Sequence, residues 1–174
     1  MLKIIYQKGI FMKLPKIGMR MIKSSVAVFI CFLISFARPD AMPFYSAIAA
    51  ILCMQPDVSN SIKVALNRTI GTFIGGIMGV LVLLIFHFKL PPEMLILKYL
   101  IVSILIIPLI YITILIKKPT ASYITCVVFL SIVIAHGNDV NPFMFGINRI
   151  IDTLIGIGVS LAINAIIPHK KHSE

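Results

Sequence analysis

Acidic residues are scarce. The 174-residue chain has six Asp and Glu against 16 Lys and Arg, and charged residues make up only 13% of it. Hydrophobic residues make up 59%, and mean hydropathy is +1.04. No soluble domain covers that much apolar surface with so few charges, so the composition specifies a multi-pass membrane protein. None of the acids is paired at helical spacing inside an apolar run, which leaves no carboxylate couple for acid–base chemistry. Gly-x-Ser-x-Gly, His-x-x-Glu-His and Gly-x-x-x-x-Gly-Lys patterns are also missing. Catalytic residues, cofactors and ATP-driven transport by this chain alone are therefore not expected. Cysteine is sparse too: Cys31, Cys53 and Cys126 all fall within apolar runs and read as small hydrophobes. His87 and His136 lack the companions of a metal site, so no metal is expected.

The formal charge of +10 does not point to nucleic acid, because the basic residues flank apolar segments. Six such segments are marked off by charge and proline: Met21–Phe36, Ala41–Gln55, Thr69–Phe86, Met94–Ile116, Ala121–Ala135 and Ile150–Pro168. A bilayer core needs about 20 helical residues. The second and fifth segments, at about 15, span only if their ends are shielded by protein. Twelve basic residues fall on one side of this arrangement and four on the other. The positive-inside rule then places both termini in the cytoplasm. Asp40, Glu93, Asp139 and Asp152 all fall on the outer side. The expected layout is a basic cytoplasmic segment (1–20), a six-helix transmembrane domain (21–168) and a short basic cytoplasmic tail (169–174). No small-residue cleavage site follows the first apolar run, so residues 1–20 do not read as a signal peptide. A start at Met12 would make residues 1–11 an upstream extension.

One motif is written twice. Asn67-Arg68-x-Ile70-x-Thr72-x-Ile74-Gly75 recurs 81 residues later as Asn148-Arg149-x-Ile151-x-Thr153-x-Ile155-Gly156. Three helices per repeat is an odd number, so the second copy enters from the opposite face. The predicted fold is an all-α membrane protein built as two inverted three-helix repeats. Arg68 is then expected at the inner boundary and Arg149 at the outer one. Arginines at boundaries often snorkel to headgroups. Their repetition beside Asn67 and Asn148 favours a second role, as two guanidinium forks marking the ends of an anion path.

Other residues join that candidate path. Pro43 and Pro119 mark the two short segments, each followed three residues on by a serine, Ser46 and Ser122. Proline starts helices well, but such marks at matching places in two halves also point to a transport site. Tyr45, Ser46, Ser122 and Tyr123 occupy first turns, where free N–H groups attract anions. Gln55 either caps backbone carbonyls or binds a carboxylate. Asp152, three residues after Arg149, is expected to pair with it, or to serve as a protonatable coupling site. Gly71, Gly75 and Gly79 form a small-residue helix face, answered by Gly156 with Ser160 and Gly158 with Ala162. These read as helix packing, within the chain or across a homodimer, ahead of a path lining. Pro108 should kink the fourth helix.

Gly18-x-Arg20-x-Ile22-Lys23-Ser24, then Ala49-Ala50-Ile51-Leu52-x-Met54-Gln55-Pro56, then Ser61-x-Lys63 and Asn67-Arg68…Gly71-Thr72…Gly75 resemble the aromatic acid exporter family of bacteria, within the fusaric-acid-resistance-like superfamily. The resemblance implies a six-helix inner-membrane domain, often dimeric, that exports organic anions such as hydroxybenzoates, with an anion channel as a variant. Many such proteins carry a long soluble domain after the membrane part, whereas this chain ends at Glu174. A non-transporting scaffold that serves a partner subunit is the alternative expectation.

Overall fold

The computed structural model describes residues 18–89, 94–135 and 142–167. Among them the chain is helical, with no strand. The helices are α1 (Met19–Phe36), α2 (Pro43–Cys53), α3 (Val58–Lys89), α4 (Leu95–Leu115), α5 (Ser122–Leu130) and α6 (Pro142–Ile166). A 3-10 turn, Pro119–Ala121, leads into α5, and a π turn, Ser131–Ala135, follows it. Four helices are long and apolar enough to cross a membrane: α1, α3, α4 and α6. The other two apolar stretches, Pro43–Cys53 and Pro119–Ile134, are shorter.

Two helices begin earlier than the apolar runs suggest. α3 starts at Val58 rather than at Thr69, and α6 starts at Pro142 rather than at Ile150. For α3 the reason is a cap. Asp57 Oδ1 accepts the Asn60 backbone N–H at 2.7 Å, which satisfies an N–H that the helix leaves free. For α6 it is Pro142, whose fixed φ suits a first helical residue. The doubled motif therefore does not open its helices. Arg68 lies about three turns into α3 and Arg149 about two turns into α6.

Burial separates central helices from peripheral ones. In their most apolar windows α3 and α6 are each 44% buried, against 17% for α1 and 11% for α4. The outer faces of α1 and α4 present Phe29, Leu33, Phe36, Ile104, Ile107 and Tyr111. Such faces suit hydrocarbon as solvent. At the centre α3 and α6 run antiparallel: Gly76 abuts Ile150, and Gly146 abuts Val80. α2 packs against α6 and α5 against α3, while α1 covers α2 and α6, and α4 covers α5.

Glycine decides how close these helices come. A Cβ on Gly75 would collide with the Thr125 carbonyl oxygen of α5, and one on Gly156 with the Ser46 carbonyl oxygen of α2. Gly71 is held against Ala121 and Gly79 against Ile132. The small-residue faces are thus used within one chain. The short helices contribute small residues in return: Ser46, Ala47, Ala49, Ala50 and Cys53 are all buried in α2. One expected pair is not used this way: Gly158 has open space around it and Ala162 is exposed. Pro108 lies within α4 and does not end it.

This contrast yields a test. Gly156→Ala should destabilise the fold by about 1–3 kcal/mol, because backbone and not a pliant side chain blocks the new methyl. Gly158→Ala should stabilise it by up to about 1 kcal/mol through helix propensity. Reversible unfolding in mixed detergent measures both, and equal effects would refute the assignment.

Candidate functional site

The α3–α6 pair with the first turn of α2 builds an unusual environment around Arg149. The side chain is 3% exposed, and its guanidinium carbon stands 3.5 Å from the centre of the Tyr45 ring. That is a cation–π stack in a dry setting. Tyr45 is set edge-on against Phe145, with ring centres 6.0 Å apart, and against Phe44 at 5.3 Å. Pro43 starts α2 and so fixes where Tyr45 emerges. Arg149 Nε reaches Ser131 Oγ at 3.4 Å, and Ser131 donates to the Val128 carbonyl. Ser131 opens the π turn, a local widening that often accompanies functional residues. Arg149 Nη1 is buried and has no hydrogen-bond partner among the described residues.

Arg68 repeats the situation from the other side. It is 4% exposed, and its Nε is buried without a partner among the described residues. Cys53 and Tyr123 lie within its electrostatic reach. Arg68 in turn lies within reach of Arg149. Arg149 thus stacks on the tyrosine of the short helix packed against its own helix, whereas the corresponding Tyr123 is 72% exposed and only within electrostatic reach of Arg68. Both guanidinium groups are enclosed by protein rather than snorkelled outward. Thr72 and Thr153, one turn further along each motif, are fully buried, and Thr72 Oγ1 has no partner among the described residues.

Asp152 does not pair with Arg149. It is fully buried and makes its ion pair with Arg38, Oδ1 to Nη1 at 2.6 Å, while Oδ2 accepts the Met42 backbone N–H at 2.8 Å. Arg38 Nη2 also reaches Asn148 Oδ1 at 3.3 Å. Asp152 instead reaches the α1–α2 connection, where Oδ2 takes the backbone N–H at the start of α2, and it stays within electrostatic reach of Arg149 without a hydrogen bond to it. Ser46 and Ser122 spend their hydroxyls on the Pro43 and Pro119 carbonyls three residues back. Ser122 Oγ also meets Thr113 Oγ1 at 2.5 Å. The Gln55 amide caps the Leu52 carbonyl, and Asn67 is half-buried. Among the described residues no three His, Cys, Asp or Glu side chains come together; His136 lies outside them.

Sequence reading gave no site role to Arg38, Lys23, Ser61 or Asn164. Lys23 and Asn164, from α1 and α6, meet at 2.8 Å in the interior. Asn164 was the available signal, an amide inside an apolar run with nothing nearby in sequence to satisfy it.

Fusaric acid resistance protein-like sequences match residues 26–163, a range that holds both arginines, Tyr45, Ser131 and the Arg38–Asp152 pair. The chain belongs to that family. Membership fits a membrane protein of transport and efflux, as do the apolar helices. No curated protein and no solved structure matches the chain.

The Arg38–Asp152 pair is asymmetric, since Arg38 is 27% exposed and Asp152 fully buried. Arg38→Ala leaves a buried carboxylate short of its partner and should cost about 3–5 kcal/mol. Asp152→Ala leaves a guanidinium that can turn to water and should cost about 1–3 kcal/mol. Unfolding titrations of the two variants test that order, and the reverse order would refute it.

Proposed function

We propose that this chain exports organic carboxylate anions across the bacterial inner membrane, with Arg68 and Arg149 as paired binding groups. One observation carries the reading: two buried guanidinium groups, on the two central helices, keep N–H groups without acceptors among the described residues. Burying a cation is costly unless it is paired, and a guanidinium fork matches a carboxylate in shape and charge. The Tyr45 and Phe44 rings give such an anion an apolar surface beside the charge, which favours aromatic acids.

The same reading takes the two halves as inverted three-helix repeats that cross six times, with both termini cytoplasmic. It is supported by the antiparallel course of α3 and α6, and by the matched approaches of Gly75 to α5 and Gly156 to α2. The short helices α2 and α5 then complete the crossing inside protein, where exposed backbone ends do not face lipid. Asn67, Asn148 and the first turns of α2 and α5 line the approach. Asp152 acts through Arg38, either holding the outer end closed or coupling to a proton. A homodimer would use the outer faces of α1 or α4, since the glycine faces are filled within the chain.

Flux of 4-hydroxybenzoate in proteoliposomes tests the proposal. Arg68→Gln and Arg149→Gln should each lower uptake about tenfold to a hundredfold, matching the roughly 1.5–3 kcal/mol of a hydrogen bond to a charged group. Thermal unfolding of the variants serves as the folding check. Well-folded protein that moves none of a panel of carboxylates would overturn the function, and unchanged flux in both variants would overturn the site.

A further inference from the structure

A second cationic cluster lies at the end of the bundle where α1 begins, apart from the two arginines. Lys23, with Ala27 and Cys31, forms the buried face of α1, and Lys23 is only 1% exposed. Its Nζ meets a single acceptor among the described residues, Asn164 Oδ1 at 2.8 Å. The ammonium has three donors, so two stay open. No carboxylate among the described residues pairs with it.

Asn164 is built to hold this geometry. Its amide nitrogen donates to the Gln55 carbonyl at 3.0 Å and to Ser61 Oγ at 2.8 Å, while Ser61 Oγ accepts the Gln55 backbone N–H. With both N–H groups engaged, the amide oxygen can only face Lys23. Arg20, one turn earlier on α1, is exposed and places Nε on the Met54 carbonyl at 2.8 Å. Its two Nη groups have no partner among the described residues. An accessible guanidinium thus stands next to a buried ammonium with free donors. Ser61 shares one face of α3 with Arg68, about two turns on.

We propose that Arg20 and Lys23 form an entry site for the carboxylate of the transported anion, which binds there before it reaches Arg68. The inference rests on the transport reading above and adds a loading step at the end that charge asymmetry assigns to the cytoplasm. A structural account competes with it, because the C-terminal ends of α2 and α6 lie beside Lys23 and favour a cation by themselves. On that account the charge only ties α1 to its neighbours.

Side-specific kinetics separate the two. Lys23→Met keeps the volume and loses the charge, whereas Lys23→Gln retains a donor for Asn164. In oriented phosphatidylcholine vesicles, 4-hydroxybenzoate supplied from the α1-start side should show a KM raised about tenfold or more in both variants. The KM from the opposite side should not change, and both variants should keep wild-type unfolding temperatures within a few degrees. An unchanged KM, an equal change from both sides, or an effect seen only when anionic lipid is added would overturn the entry site. If wild-type protein carries no carboxylate at all, the transport reading fails and the entry site fails with it. If wild-type flux is normal and both variants match it, the entry site alone fails.

Discussion

No side chain fits between Gly156 and the Ser46 carbonyl, nor between Gly75 and the Thr125 carbonyl. These two backbone contacts hold the short helices against the long ones, and most other features depend on them. They bring the first turn of α2 onto α6, which is what sets the Tyr45 ring over Arg149. They bring α5 onto α3, which puts Tyr123 within reach of Arg68. In hydrocarbon, helices gain little from burying apolar surface against each other, so close backbone approach is the available source of specific packing. Glycine is therefore placed where an aqueous protein would use a large side chain.

The polar interior is unbalanced in charge. Lys23, Arg68, Arg149 and Asp152 are all buried, three cations against one carboxylate among the described residues, and that carboxylate is taken by Arg38. A protein selected only for stability would gain by replacing such groups with packed apolar ones. Retaining them is consistent with a path that an anion completes for part of the time. The neutral members of the network act as supports: Asn164 and Ser61 orient Lys23, and Ser131 holds Arg149 Nε. Rigid supports around an unpaired cation favour a ligand that arrives ready in charge and shape.

The apolar runs were legible because hydropathy responds to the solvent, but their ends were not. Asp57 starts α3 about three turns before the run of apolar residues, and Pro142 starts α6 about two turns before its run. A boundary drawn at a charge mistakes a buried polar residue for a flanking one, as happened at Arg68. Gly71, Gly75, Gly79 and Gly156 lie against neighbouring helices, and four-residue spacing marks such a face whatever the helix start. Gly158 is the exception, and it shows that spacing alone does not say which face has a neighbour.

Composition by itself determined the membrane solvent and the helical class, and the doubled Asn-Arg motif singled out Arg68 and Arg149. These depend on local chemistry and on periodicity, which one chain carries in order. Tertiary structure alone decided the partners. Asp152 lies three residues from Arg149 yet binds Arg38, more than 100 residues away, and Lys23 meets Asn164 across a similar span. Charge attraction depends on separation in space and not on distance along the chain, so the pairings follow from which helix faces the packing brings together.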